Sequence, residues 1–165
     1  MSSIASTTHL PPLGGHERHE IGRELQATLV ELVDLTLVGK QLHWSVVGSH
    51  FRPLHEQLDE LVESWHELAD TVAERAVAIG FLPDGQAETV AAGSELGRVE
   101  AGAIADDAVV RELAGRLAEI SERTRDRMDR LADLDAASQD VLIEVVRELE
   151  KQLWMIRAQL TDSAE

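Results

Sequence analysis

The sequence predicts an all-α chain: a bundle of four long helices with one long crossover connection between the second and the third. Three observations carry that expectation. Apolar residues recur at alternating spacings of four and three along most of the 165 residues, the period of helices that each bury one face. Ala, Leu, Val and Glu dominate while aromatics make up 3%, which favours helices over sheets. The breaks between stripes are short near Gly48 and Asp135 and long over residues 81–105. A short break joins antiparallel neighbours, and a long one lets the chain cross the bundle.

Residues 1–16 read as a flexible tail of small polar residues with Pro11-Pro12 and Gly14-Gly15, too poor in apolar surface to order itself. The bundle is expected over 17–160, followed by a short acidic tail at 161–165. Ile21, Leu25, Thr28, Leu32, Leu35, Gly39, Leu42 and Val46 form the stripe of the first helix. Gly48-Ser49 ends it, and Ser49 or His50 caps the second, with Pro53 tolerated in its first turn. The second stripe is Leu54, Leu58, Leu61, Trp65, Leu68, Val72 and Ala76, with Gly80 as the stop. Pro83-Asp84-Gly85 turns the chain, and the crossover has room for a short helix around Glu88–Ala92. The third helix runs from about Asp106 to Leu131 on Val110, Leu113, Leu117, Ile120, Thr124 and Met128. Asp135 or Ser138 opens the fourth, on Val141, Val145, Leu149, Gln152 and Ile156. No internal repeat and no strand-period segment is present.

Charge and composition bound the function. Fifteen Lys and Arg stand against 31 Asp and Glu, a formal net charge of −16. Such a surface repels nucleic acid and anionic membranes and attracts cations, although acidity of this kind also serves solubility alone. With no cysteine, a disulfide framework and thiolate metal sites are excluded, so any metal site must use His and carboxylates. The first residues lack a basic segment followed by an apolar one, and no run is apolar and long enough to span a bilayer. The expected location is therefore the cytoplasm.

All seven histidines lie within the first 66 residues. His43, near the end of the first helix, and His55, early in the second, sit almost symmetrically about the turn near Ser49. In an antiparallel hairpin, positions equidistant from the turn share a height, so the two imidazoles can face each other. Asp59 lies one turn after His55 on the same face. Two imidazoles and a carboxylate suit a borderline divalent metal such as iron or zinc.

Asp70 and Glu74 form an i, i+4 carboxylate pair further along the second helix. The step from Asp59 to Asp70 is close to three whole turns, which keeps both pairs on one face but separates them by about 16 Å. One metal cannot span that distance within a chain. If the second helix packs antiparallel against its own copy, with a twofold axis near Ser64–Trp65, His55 and Asp59 of one chain oppose Asp70 and Glu74 of the other. Singly, each feature has a plain explanation: a helix histidine is most often a surface or satisfied core residue, and an acidic pair is often a solvated face. Together they point to a metal site. A di-iron centre inside one bundle is a separate possibility that needs two Glu-x-x-His motifs. Only Glu63-Ser-Trp-His66 is present, with no histidine after it, so that type is excluded.

The helix order, two long, a connection, two long, is the ferritin-like arrangement. Lys40-Gln-Leu-His-Trp-Ser-Val-Val-Gly-Ser-His-Phe, then Leu54-His-Glu-Gln-Leu-Asp59 and Asp70-Thr-Val-Ala-Glu-Arg-Ala76, closely resemble the Dps family, the mini-ferritins. The resemblance spans about Ile21 to Leu160 and includes Leu153-Trp154. It implies a ferritin-like four-helix bundle assembled into a hollow homododecamer. Such a shell oxidises Fe(II), preferentially with hydrogen peroxide rather than oxygen, stores Fe(III) mineral and protects against oxidative damage. It implies that His43, His55 and Asp59 of one subunit and Asp70 and Glu74 of its twofold mate form the ferroxidase centre, a di-iron site that zinc or manganese can share. Trp44 corresponds to the family's nearby tryptophan, an electron donor that quenches radicals; a packing aromatic is the plainer reading. Asp135, Asp140 and Glu144 fit the acidic positions of the family's threefold iron-access pores; acids favoured by a helix N-terminus explain them equally simply.

The chain departs from DNA-binding relatives. Its first 17 residues contain no Lys or Arg, and it ends Thr-Asp-Ser-Ala-Glu, so the tails offer little to phosphate and DNA binding is not expected. His16 and Glu20, with His19 between them, are either an accessory metal site or a polar helix start. His66, one turn before Asp70, is a secondary metal candidate. Two rival readings remain: a nucleoid-associated or structural helical shell with a vestigial site, and a monomeric scaffolding bundle. Complete ligand sets speak against the first, and particle size separates the second.

Overall fold

The computed structural model describes residues 10–160. Helix α1 spans Gly15–Ser45 and is followed by a two-residue strand β1, Val46–Val47. Then come α2 (Phe51–Ala78), a short α3 (Ala87–Gly93), a two-residue strand β2 (Ile104–Ala105), α4 (Asp106–Leu131) and α5 (Ala136–Arg157). The four long helices form the bundle, with α1 paired to α2 and α4 to α5 as the dominant contacts. The crossover carries α3, which leans on α1.

Every residue of the α1 and α2 stripes is buried, and Trp65 is 0% exposed. Trp65 is the largest buried side chain, and its indole N–H donates to Gln152 Oε1 at 2.6 Å. The α4 and α5 stripes are buried too, except that Met128 and Val141 are only half-buried.

The helix ends follow local chemistry. At the start of α1 the Glu17 carboxylate accepts the Gly14 N–H at 2.7 Å. Gly80 has φ 85°, a left-handed conformation, and the Phe81 N–H turns back to the Ala76 carbonyl at 2.9 Å, which closes α2. Asp135 caps α5 by accepting the Ser138 N–H at 3.0 Å. Of the two residues expected to cap α2, His50 occupies the position but makes no side-chain cap bond. Its N–H donates instead to Asp106 Oδ2 at 2.7 Å, across to the start of α4.

That contact belongs to a seam the sequence did not announce. Val46 pairs with Ile104 and Val47 with Ala105 as a parallel two-residue bridge, which ties the α1–α2 turn to the end of the crossover. No strand was expected, because two residues carry no period. Arg116 secures the same crossover, donating to the carbonyls of Leu96 and Gly97, the latter at 2.9 Å.

Helix α1 begins at Gly15, and Leu13 of the expected tail already packs against the core. Residues 1–9 of that tail and the acidic tail at 161–165 lie outside the described residues. Among the described residues, no helix is long and apolar enough to cross a membrane.

Candidate metal centre

The α1–α2 hairpin brings His43 and His55 together. Their rings stack with centroids 3.6 Å apart and planes 21° from parallel. His43 Nδ1 lies 2.9 Å from the backbone carbonyl of His55, and His55 Nδ1 lies 3.0 Å from that of His43. A carbonyl only accepts, so both Nδ1 atoms carry the hydrogen, which leaves Nε2 as the nitrogen of each ring able to ligate a metal. Backbone anchoring of this kind orients imidazoles that ligate metals. The pairing needs α1 and α2 close together, and Gly39 permits it: a Cβ there would fall 2.5 Å from Trp65 Cζ3 and 2.6 Å from Val62 Cγ2.

Asp59 stands beside the pair, its Oδ1 3.4 Å from His43 Nδ1. Lys40 donates to the same oxygen. That hydrogen bond holds the Asp59 carboxyl below the usual carboxylate range, against the opposing effect of desolvation and with help from the nearby imidazoles. Lys40 had drawn no attention in the sequence. The available signal was its place three residues before His43, on the same helical face.

Asp70 and Glu74 lie farther along α2, both exposed, and are not brought to the histidines of their own chain. Among the described residues, no group of three His, Asp or Glu side chains within one chain converges to hold a metal. His66 is exposed on the same helix. Trp44 is 71% exposed and packs in no core of its own chain. His16 and Glu20 approach to 3.3 Å as an exposed pair at the start of α1.

The three acidic residues near the start of α5 part company. Asp140 and Glu144 are exposed and line, with Ser64, Thr71 and Lys151, a groove of 740 Å³ between α2 and α5. Asp135 is engaged within its own chain, accepting from Arg75 at 2.6 Å and from Ser138 Oγ at 2.5 Å. Burial raises its pKa, but the hydrogen bonds from Ser138 and Arg75 outweigh burial and hold the carboxyl below its usual range.

Comparison with known proteins agrees with the four-helix fold. A ferritin-like domain family model matches residues 23–164. The DNA protection during starvation protein 2 of Deinococcus radiodurans is 33% identical over 94% of the chain, which spans 65% of that protein's length. The DNA protection during starvation protein of Mycolicibacterium smegmatis is 35% identical over 92% of the chain and 82% of its own length. Among solved structures, Mycobacterium smegmatis Dps superposes with a TM-score of 0.90 at 32% identity, covering 96% of each chain. Dps from Microbacterium arborescens in its high iron form superposes with a TM-score of 0.87 at 30% identity, over 93% of this chain and 99% of that one. A ferritin-like bundle, a matching family model and relatives above 30% identity over most of its length place this chain in the Dps family of ferritin-like proteins.

Proposed function

We propose that this chain is a ferroxidase and iron-storage subunit. It oxidises Fe(II), with hydrogen peroxide as the favoured oxidant, at centres shared between two subunits, and keeps Fe(III) mineral inside a hollow homododecamer. One observation carries the reading: His43 and His55 hold each other's backbone carbonyls through Nδ1, which leaves both Nε2 atoms free to ligate, with the Asp59 carboxylate standing beside the pair. That donor set, two imidazoles and a hard oxygen, suits Fe(II), and carboxylates favour the Fe(III) product. Asp70 and Glu74 of a second copy complete the centre, since the rise along α2 leaves them about 16 Å and about 22 Å from Asp59 of their own chain. Two Fe(II) give two electrons to one peroxide; its O–O bond breaks, two protons are taken up and two waters leave, so no hydroxyl radical is released. Zinc or manganese can occupy the same donors. The high iron form recorded for the Microbacterium arborescens Dps supports iron as the cargo.

Asp140 and Glu144, exposed along the α2–α5 groove, are the pore candidates; Asp135 serves mainly to cap α5 and pair with Arg75. Protein with this net charge of −16 is expected to leave DNA unshifted in a gel at physiological salt, and a clear shift without divalent metal would contradict that. The function is tested by loading metal-free protein with Fe(II) without air, adding peroxide and measuring iron that co-elutes with the particle. Hundreds of irons per particle of about twelve chains, and loss of fast oxidation in the double variant His43→Ala, Asp59→Ala, support the proposal. Iron precipitating outside, or a small particle carrying none, would leave only the structural-shell or scaffold readings.

A further inference from the structure

We propose that the twofold axis between two copies carries a metal site of its own, in which Glu63 and His66 of each chain together bind one divalent cation. The proposal rests on the pairing of α2 with its copy that the shared centres require. Glu63-Ser-Trp-His66 builds no di-iron centre inside one bundle, and its ends point away from the core. The Trp65 indole N–H donates to Gln152 of α5, and Ser64 Oγ accepts from the same side chain at 3.0 Å. The two middle residues therefore turn towards α5, and Glu63 and His66 are left exposed on the other side of α2.

That side is the one the shared centres use. Each residue turns the helix by about 100°, so Asp59, Asp70 and Glu74 fall at about 40°, 60° and 100° from His55 around α2. His66 and Glu63 fall at about 20° and 80°, inside the same arc. An antiparallel pairing that sets His55 against the partner's Glu74, and Asp59 against the partner's Asp70, has its axis midway between Ser64 and Trp65. It also sets His66 against the partner's Glu63. All four side chains then start about 2 Å along the helix from the axis, whereas each shared centre lies about 11 Å from it. Two imidazoles and two carboxylates converge there, a closed four-donor set that balances a divalent charge and suits tetrahedral Zn(II) or Co(II), and Fe(II) as well. One chain supplies only two of the four donors, in keeping with the absence, among the described residues, of any three-ligand group within one chain. A cation bound there pins α2 to its copy in the register that the shared centres need. Without a cation the same groups form only two carboxylate–imidazole contacts, the rival that the test must exclude.

The test uses Co(II), whose visible bands are strong in four-coordinate sites and weak in octahedral ones. Assembled metal-free protein carrying His43→Ala and Asp59→Ala, which disables the shared centres, is titrated at pH 7. About half a Co(II) per chain with strong bands is expected. Adding His66→Ala or Glu63→Gln should abolish that uptake and its bands, with the particle size unchanged in sedimentation. His66→Gln, similar in size and a poor ligand, repeats the test if the alanine variant falls apart. No strong bands at half an equivalent, or a spectrum and uptake that the His66 and Glu63 variants leave unchanged, overturns the proposal; the first outcome leaves only carboxylate–imidazole contacts across the axis. Asp70→Ala in otherwise wild-type protein separates the two levels of inference. If His43→Ala lowers metal uptake and Asp70→Ala does not, the shared-centre reading itself fails. If uptake responds to both but not to His66→Ala, only the site on the axis fails.

Discussion

Replacing Gly39 by alanine tests whether the approach of α1 to α2 holds the imidazole pair in place. On an open helix the change is favourable by about 1 kcal/mol, because alanine loses less backbone entropy. At Gly39 the new methyl would sit 2.5 Å from Trp65 and 2.6 Å from Val62, roughly 1 Å inside ordinary carbon contact. Neither neighbour retreats easily: Trp65 is fully buried and tied to Gln152, and Val62 is stiff at its branched carbon. Overpacking of a rigid core costs about 1–3 kcal/mol, with a site this closed near the upper end. The net effect expected is therefore a loss of about 1–2 kcal/mol, or a melting temperature lower by roughly 2–8 °C. Gly115 provides the control, since a methyl there meets nothing within 4 Å on α4; Gly115→Ala should stabilise by about 0.5–1 kcal/mol. Both are read by urea unfolding at a fixed protomer concentration, because assembly contributes to apparent stability. Gly39→Ala should also weaken Zn(II) binding, by parting the reciprocal histidine contacts one turn away. A Gly39→Ala protein as stable as Gly115→Ala would refute the argument from close approach.

Further expectations follow from the buried polar contacts and the α5 cap. Gln152→Leu strands the Trp65 indole N–H in the core and should cost about 1–3 kcal/mol in urea unfolding; an unchanged midpoint would show that water reaches it. The Asp135 carboxyl is depressed in the folded state, so its stabilising contribution is complete above the unfolded carboxylate pKa of about 4 and is lost as pH falls through the lower folded value. Arg75→Ala should narrow that window, so acid unfolding should begin at higher pH; coincident acid curves would remove Arg75 from the cap. Asp140→Asn should slow iron uptake while leaving the particle and its melting temperature unchanged, and identical uptake kinetics would exclude Asp140 from the access path.

Much of the fold was legible because helical burial is a local, periodic property. Leu25, Leu58, Trp65, Leu117 and Leu149 are buried where their spacing says, and Asp135 caps α5 because its side chain reaches a backbone N–H three residues on. The shared height of His43 and His55 followed from the turn between them. Their ring stacking and exchanged carbonyl contacts did not, since these depend on how closely two helices approach. Glu31 illustrates the limit. Spacing marks it as a charged helix position, yet it is 1% exposed and paired with Arg123 and Arg127 of α4. A contact between distant parts of the chain leaves no trace in local periodicity. The same holds for Arg75, whose link to Asp135 and Ser138 joins α2 to α5.

The seam between β1 and β2 has a consequence for the order in which the protomer forms. Helices α1 and α2 meet across a short turn, as do α4 and α5, so each pair can assemble from contacts near in sequence, the kind that form fast. The bridge from Val46 to Ile104 and the His50–Asp106 contact can close only once both pairs exist. Interactions completed after the rate-limiting step slow unfolding more than they speed folding. Removing the Asp106 side chain, and with it the His50 contact of the seam, is therefore expected to speed unfolding more than it slows folding, measured in the two arms of a urea chevron.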